Sequence, residues 1–383
     1  LPTKLQRLNR MLIKIVRVAV ITAFATFKKP YKDMKKFIIG IDFSKETVDA
    51  SIVQKEQPET LIAYKKFRNN LKGVDGLIAW AKSKVAQDGE IIFCGENTGT
   101  YSTLFSDELT DRGFIIWIEH SMNIVRGMGD VRGKDDKTDS LRIASYAARF
   151  YDKMKPYVRP KDETRVLKTL LAKRDRLKSF LKAEITNTKE NPLMLQDSNI
   201  ASSINEFFKR LEESLRKELK ELERMILDVV MSSSEYAKNF NILTSMKGIG
   251  LINAVALIVY TDNFTKFNFN HRKIATYWGV VPFKNESGTS VRRGTHVSPK
   301  CNSWLKALLT EATLCAIRYN SRIKAYHDRL MARGKAIGIV FNNCKNKMLK
   351  ILVAMVRDSK IYSDMDVSKD PHTTTTTSSI VVC

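Results

Sequence analysis

The residues between Phe37 and Glu119 alternate short apolar strands with amphipathic helices, and this alternation constrains the fold more than any other feature. Helical spacing of apolar residues predicts helices at 71–85 and 101–112. Before, between and after them, four short segments rich in β-forming residues predict strands: FIIGID at 37–42, TVDASIV at 47–53, EIIFC at 90–94 and FIIWIE at 114–119. Such an order predicts a mixed α/β sheet covered by helices, in a first domain over residues 34–158.

The next region, residues 159–236, has the pattern of a coiled coil. Eight apolar residues follow one another at intervals of three or four: Ile204, Phe208, Leu211, Leu215, Leu219, Leu222, Ile226 and Val229. This seam predicts a long helix that pairs with a second helix of the same chain or of another protomer. We therefore expect a helical connector and a homo-oligomer.

Residues 237–358 predict a second, mostly helical domain. The apolar pattern predicts helices at 251–260, 303–320 and 323–356, with a Gly-, Ser- and Arg-rich loop at 282–300. The remaining residues, 359–383, include a run of threonines and predict a disordered tail.

The charge of the chain predicts a polyanionic partner. Its 65 Lys and Arg against 41 Asp and Glu give a formal net charge of +24, which favours nucleic acid. The five cysteines are widely separated and form no CxxC pair, so neither a disulfide framework nor a zinc site is indicated. We expect a protein of the bacterial cytoplasm.

The first 33 residues stand apart from the rest. They carry eight Lys or Arg and one acidic residue, around an apolar stretch at 18–27 that is too short to span a bilayer. No signal-peptide cleavage site follows this stretch, and we expect no membrane partner. We interpret residues 1–33 as a non-native or upstream extension, with Met34 as the start.

Four carboxylates are candidates for a metal site. Asp42 and Glu96 each close an apolar strand, where a charge is costly unless it is used. Asp136 and Asp139 are three residues apart at a predicted helix start, so they share one helical face. Clustered carboxylates attract divalent cations, and two cations about 4 Å apart can assist phosphoryl transfer. Taken singly, each acid could equally be a cap or a turn residue.

The order of short motifs resembles the DEDD transposases of the insertion sequence 110 family, which are similar to the Piv invertase. The first domain contributes GIDFSK at 40–45, GENTG at 95–99 and KDDKTDS at 134–140. The second contributes five more: MKGIGLINA at 246–254, GVVP at 279–282, ESG at 286–288, RRG at 292–294 and NSWLKALLTEA at 302–312. The resemblance runs from about Met34 to Asp358.

This resemblance implies a RuvC-like, RNase H-type fold for the first domain, followed by a coiled-coil connector and a mostly α transposase domain. It implies that Asp42, Glu96, Asp136 and Asp139 bind Mg²⁺, as two ions. It also implies a recombinase that excises and inserts a mobile element through a covalent phosphoserine, guided by a noncoding RNA that pairs with DNA.

The nucleophile that the resemblance implies is Ser287, before Gly288. Serine in an NESG segment is usually a turn former, and no His-Asp partner is evident for it. The chemistry then requires a cation to lower the pKa of the serine oxygen, and the two domains to act together. Three groups of positions depart from the family pattern: Glu286, Ser140, and Pro299 with Cys301. They leave Ser290 and Ser298 as weaker candidate nucleophiles.

Two basic segments are candidate nucleic-acid contacts. Lys247, Gly248 and Gly250 resemble a helix-hairpin-helix turn, in which backbone N–H groups approach a phosphate; a simple helix-opening turn is the alternative. Near Ser287, three cations could neutralise the scissile phosphate or merely form a solvated loop: Arg292, Arg293 and Lys300.

Two other functions compete with an RNA-guided recombinase. A RuvC-like junction nuclease would use water and would not need Ser287, and this alternative stays open. A kinase of the actin-like fold is suggested by GIDFSKET at 40–47, but the basic charge and the lack of a second glycine-rich nucleotide loop argue against it.

Overall fold

The computed structural model describes residues 35–86, 89–129, 135–190, 199–287, 291–297 and 301–363. Within these ranges, the side chains of 188–190, 199–201, 284–287 and 291–296 are not described. The predicted extension at 1–33 and the tail beyond 363 lie outside the described residues. The chain divides after Arg159 into two compact units.

The first unit is built on a five-stranded mixed sheet. Its strands are β1 (Lys36–Phe43), β2 (Thr47–Gln54), β3 (Ala63–Arg68), β4 (Glu90–Glu96) and β5 (Ile115–Glu119), in the order β3-β2-β1-β4-β5. Strand β2 is antiparallel to β1 and β3, whereas β4 runs parallel to β1 and β5. This sheet confirms the predicted RuvC-like, RNase H-type α/β fold class. We did not predict β3, because its sequence AYKKFR is mostly polar.

Helices cover both faces of this sheet. They are α1 (Leu71–Lys84), α2 (Thr100–Asp111), α3 (Ser121–Met128) and α4 (Asp136–Arg149). One core joins Ile39 and Ile41 of β1 to α1 and α2. The other joins Ile38 to Ile124 of α3 and Ile143 of α4. Because strand side chains alternate, Gly40 and Asp42 share the face that α4 covers.

Gly40 lets α4 approach β1 closely. A Cβ on Gly40 would lie 2.2 Å from both the Ser140 carbonyl oxygen and the Ala144 backbone nitrogen. The same region of α4 is tied to β2 by a buried hydrogen bond of 2.7 Å between the Ser140 and Ser51 hydroxyls. The departure from the family pattern at Ser140 therefore has a partner in Ser51, and the start of α4 is fixed over β1 and β2.

The second unit opens with a helical hairpin, α5 (Asp162–Glu190) and α6 (Asn199–Ser232). The predicted seam runs along α6. Arg174 of α5 donates to Glu223 of α6 at 2.7 Å, and Leu167 shares a core with Val230, so the two helices are antiparallel. Pairing within one chain therefore accounts for the seam near Ile226.

The remaining elements form a helical body with one β-hairpin. They are α7 (Ser234–Thr244), α8 (Leu251–Tyr260), α9 (His271–Tyr277), β6 (Pro282–Ser287), β7 (Val291–Val297), α10 (Ser303–Tyr319), α11 (Ser321–Ala332) and α12 (Ile337–Arg357). Their apolar side chains form one core with the base of the helical hairpin. The mostly helical character predicted for this part is confirmed.

Two predictions within this body were wrong. The predicted loop at 282–300 contains the antiparallel pair β6–β7, which its Gly, Ser and Arg content concealed. The predicted helix at 323–356 is two helices, because the chain turns at Gly334, whose φ of +69° favours glycine. Beyond α12, Tyr362 donates its backbone N–H to the Ser245 hydroxyl at 2.9 Å, so the chain is held to at least this point.

None of the helices in the described part of the chain is both long and apolar enough to cross a membrane.

Candidate active site

Asp42 and Glu96 lie at neighbouring positions on adjacent parallel strands. Ile41 of β1 is paired with Gly95 of β4, so the next residue of each strand is one of these two acids. Carboxyl ends of parallel strands meet at one edge of a sheet, where ligands commonly bind. The two candidate carboxylates are therefore brought together by strand register alone.

The first turn of α4 carries the other two candidates. The Asp135 side chain caps this helix by accepting from the backbone N–H of Lys137 at 2.8 Å. Asp136 and Asp139 follow in the first turn. The close approach at Gly40 thus positions this turn above the edge that holds Asp42.

The pKa of Asp42 is raised by its surroundings. Burial, the largest cause, and the negative charges of neighbouring acids together raise it from 3.8 to about 6. These neighbours, in decreasing order of effect, are Asp139, Glu96, Asp49 and Asp136. All three of the other predicted carboxylates are therefore close enough to repel Asp42.

Glu96 is affected in the same way. Burial raises its pKa, Asp139 raises it further, and Arg142 and His120 oppose the rise. Asp139 thus acts on both strand-borne acids. Among the four predicted carboxylates, Asp42, Glu96 and Asp139 therefore show the strongest electrostatic interactions with one another.

Sequence reasoning missed a fifth acid, Asp49. It lies opposite Asp42 across β1 and β2, and it is 3% exposed. Its carboxylate accepts from the Tyr64 hydroxyl at 2.5 Å and lies 3.5 Å from the Lys66 ammonium. A polar residue inside the apolar strand TVDASIV was the available signal, because a buried carboxylate requires partners.

Lys66 holds Asp136 as well. Its ammonium donates to the Asp136 carboxylate at 2.8 Å, so one lysine links Asp49 of β2 to the first turn of α4. Asp136 is therefore directed towards β3 and interacts more weakly with Asp42 than Asp139 does.

The donor set fits a divalent cation. Carboxylate oxygens are the protein ligands that Mg²⁺ prefers, and the mutual repulsion at Asp42 is what a bound cation would remove. In the described ranges, no three Asp, Glu, His or Cys side chains are already grouped as a metal site. One reason is that Asp136 forms an ion pair with Lys66, which directs its carboxylate towards β3.

The candidate nucleophile, Ser287, is the last residue of β6. Its backbone pairs with Val291, and Glu286 pairs with Arg292, so Ser287 sits next to the connection between β6 and β7. Arg293 follows in β7. Gly288, Lys300 and the weaker candidates Ser290 and Ser298 lie outside the described residues.

The predicted helix-hairpin-helix turn joins α7 to α8. Lys247 is exposed, and Gly250 is the N-cap of α8 without a side-chain cap. Gly248 has a φ of +105°, and a Cβ there would lie 2.7 Å from that of Ala316 in α10. Packing and backbone conformation thus both require glycine at position 248. Contact of this turn with a phosphate stays a prediction.

Two family models match the chain. A model for the DEDD transposases of the IS110 group, described as "Transposase", matches residues 39–191. A second, described as "Transposase IS116/IS110/IS902 family", matches residues 240–328. The first match spans all four candidate carboxylates, and the second spans the β-hairpin with Ser287.

Among solved structures, the chain is similar to RuvC of Thermus thermophilus. The structure of that protein in complex with a Holliday junction substrate has 10% sequence identity and a TM-score of 0.25, and the match covers 32% of this chain and 99% of RuvC. A second RuvC structure gives 11% identity, a TM-score of 0.24 and the same coverages. No curated protein matches the chain.

Proposed function

Because this chain belongs to the IS110 family of transposases and is a DNA transposase or recombinase, we propose that it excises and inserts a mobile element through a covalent phosphoserine, guided by a noncoding RNA. The catalytic residues in this proposal are Ser287 and the carboxylates of the first unit. The observation that supports it most is that Asp42 and Glu96 follow paired residues of adjacent parallel strands, and that the charge of Asp139 raises the pKa of both.

The carboxylates have the composition of a cation site for phosphoryl transfer. In the proposal, Asp42, Glu96, Asp136 and Asp139 hold Mg²⁺, as two ions. Bound Mg²⁺ supplies Lewis-acid stabilisation of the charge that develops on the phosphate oxygens. Lys66 lies 3.5 Å from Asp49 and 2.8 Å from Asp136, so it orients both carboxylates.

Ser287 would perform the covalent step. Its Oγ attacks the scissile phosphorus; an Oγ–P bond forms while the bond from phosphorus to a deoxyribose oxygen breaks. The serine proton passes to solvent and the departing sugar oxygen takes one from solvent, so charge and atoms balance. Attack by the sugar hydroxyl of a second DNA end reverses this step and joins new partners.

Cationic side chains would hold the DNA during this exchange. Arg292 and Arg293 lie in β7, the strand paired with the one that ends at Ser287, and Lys300 follows in sequence. A guanidinium group can donate two parallel hydrogen bonds to one phosphate, which suits the positioning of a scissile phosphate. Lys247 at the α7–α8 turn is a further proposed phosphate contact.

A second copy of the chain is a proposed partner. Towards the start of α6 the seam is uncovered: Ile204 is 40% and Phe208 is 37% exposed. Apolar residues at coiled-coil positions are usually buried, so a helix of another protomer would cover them.

The test is a strand-transfer reaction with the full chain. Purified protein is incubated with its flanking noncoding RNA, labelled element-end DNA and Mg²⁺, and the products are resolved under denaturing conditions. The proposal predicts a protein-DNA adduct that protease removes and that fails to form without the RNA. Free nicked DNA without adduct would contradict it and favour a RuvC-like nuclease that uses water.

That alternative has one observation in its favour. The carboxylate edge is assembled entirely within the first unit, so its acids do not depend on Ser287 for their arrangement. A nuclease with water as nucleophile would retain cleavage in a Ser287→Ala variant, whereas the recombinase would lose it.

A further inference from the structure

Lys345 of α12 is a buried cation that has no partner among the described residues. The residue is 9% exposed, and it forms no hydrogen bond or ion pair with any residue in the described part of the chain. Burial lowers the pKa of its ammonium, and the nearby Lys306 of α10 lowers it further. A buried charge is costly unless it is paired, so this position lacks an anion.

No acid of the surrounding helices can supply that anion. The helices packed against α12 are α7, α9, α10 and α11. Neither α12 nor α9 contains an acidic residue. The other three contain one acid each, and each has a partner elsewhere: Glu235 pairs with Lys161, Glu311 pairs with Lys178, and Asp328 is hydrogen-bonded to the His327 ring.

Lys306 increases the local positive charge. It is the fourth residue of α10, at the end of the helix where the backbone dipole is already positive, and the first turn of α10 contains no acid. A lysine at this end is electrostatically unfavourable. Lys345 and Lys306 are therefore both in electrostatically unfavourable positions, each for a different reason.

The lysines lie at the base of the β6–β7 hairpin. Asn342 and Asn346 of α12 both donate to the Val280 carbonyl at 2.8 Å, two residues before β6 begins. Lys345 neighbours Asn342 on the surface of α12, because residues three apart in a helix are neighbours. The six residues of β6 span about 20 Å from this base to Ser287.

We propose that Lys345 and Lys306 bind a backbone phosphate of nucleic acid at the base of the hairpin, away from the scissile phosphate. This inference rests on the proposed function for its ligand. A span of about 20 Å corresponds to about six base steps of a duplex, so one short duplex is long enough to reach both this pair and Ser287. Such a contact holds the strand in register without reading its sequence.

The experiment measures binding alone. The full-length chain and Lys345→Met are titrated with short fluorescein-labelled DNA and RNA duplexes of one sequence, in EDTA and at several salt concentrations. Losing one phosphate contact lowers the slope of log affinity against log salt by about 0.9. The loss of affinity is then about three to four times larger at roughly 50 mM than at roughly 200 mM salt.

Lys350→Met is the matched control, because Lys350 is exposed on the same helix and its loss changes the net charge equally. If the salt slope of Lys345→Met falls below that of the control on both duplexes, the result supports a general backbone site. If it falls on one duplex alone, the site is assigned to that nucleic acid. Slopes equal to that of the control on both duplexes overturn the proposal.

Thermal melting of the free variants separates binding from folding. Methionine replaces an unpaired buried ammonium, so the melting temperature of Lys345→Met is expected to be unchanged or higher. If this variant does not fold, Lys306→Met decides: a reduced slope supports the site, and an unchanged slope overturns it. Since no strand is cut in EDTA, failure of the phosphoserine chemistry leaves this result unaffected.

Discussion

The ammonium of Lys66 lies 2.8 Å from the carboxylate of Asp136, one of the four proposed Mg²⁺ ligands. The same ammonium is 3.5 Å from Asp49, which lies opposite Asp42 in the sheet. A protein cation thus shares the carboxylates that a metal ion would bind. Lys66 and Mg²⁺ are therefore expected to compete for Asp136.

Replacing Lys66 with methionine is expected to tighten Mg²⁺ binding severalfold. The variant removes the competing cation from Asp136 and leaves the other acids with more uncompensated negative charge. Isothermal titration of the DNA-free protein with MgCl₂ measures this directly. Lys65→Met is the control, because Lys65 is exposed on the opposite face of β3; equal affinities for the two variants would contradict the prediction.

The stability of the metal-free protein is expected to depend on the ionisation of Asp42. Its pKa is raised from 3.8 to about 6, so the folded chain keeps a proton that the unfolded chain loses first. Stability is therefore highest below about pH 4 for this group and falls as the pH rises through about 6. Allowing for partial exposure, the loss is on the order of 1–2 kcal/mol by pH 7.

Urea denaturation of wild type and Asp42→Asn at pH 5 and pH 7 isolates this contribution. The difference in unfolding free energy between the two proteins should change with pH in EDTA, with the variant gaining relative stability at pH 7. Saturating Mg²⁺ should restore the wild type at pH 7. A difference that is constant with pH would show that Asp42 is ionised normally.

Gly40 is expected to tolerate no side chain. A Cβ there would lie 2.2 Å from the backbone of α4, so Gly40→Ala must displace the helix that carries Asp136 and Asp139. We expect a loss of about 1–3 kcal/mol in unfolding free energy, as for other overpacked sites, together with loss of strand cleavage.

Gly76→Ala is the matched control for Gly40→Ala. Gly76 lies within α1, and a Cβ there would meet only the Phe67 ring at an ordinary 3.4 Å. The helical alanine should raise stability by about 0.5–1 kcal/mol and leave cleavage intact. Similar effects of the two substitutions would contradict the role assigned to the close approach of α4.

Much of this site was predictable from strands that are continuously apolar. FIIGID and EIIFC predict β1 and β4, and parallel register then places Asp42 beside Glu96. Strand β3 was missed because Phe67 is its one buried residue. The Lys66 pair with Asp136 joins residues that are 70 positions apart, and no local pattern indicates such a contact.

The β-hairpin shows a different limit of prediction. Its residues have the turn-forming composition of a loop. The strands are stabilised by the pairing of β6 with β7, which composition does not indicate. The break at Gly334 was equally hidden, since a single glycine is tolerated within many helices and its positive φ is a property of the folded backbone.

The uncovered part of the α6 seam is expected to mediate self-association. Glutamate at Ile204 and Phe208 together would place two charges in an apolar interface and shift the chain towards a monomer. Light scattering after size exclusion measures the mass, with Lys209→Glu, outside the seam, as the control. An unchanged oligomer in the double variant would locate the contact elsewhere.

Covalent attachment of Ser287 to DNA, assisted by the carboxylates, is the step on which the proposed recombination depends. Mass spectrometry of the adduct formed with RNA, element-end DNA and Mg²⁺ identifies the attached residue. We expect a nucleotide phosphate on the peptide that contains Ser287, absent in Ser287→Ala and in Asp42→Asn, and retained in Ser290→Ala. An adduct that persists in Ser287→Ala, or one that maps to another residue, would show that Ser287 is not the nucleophile.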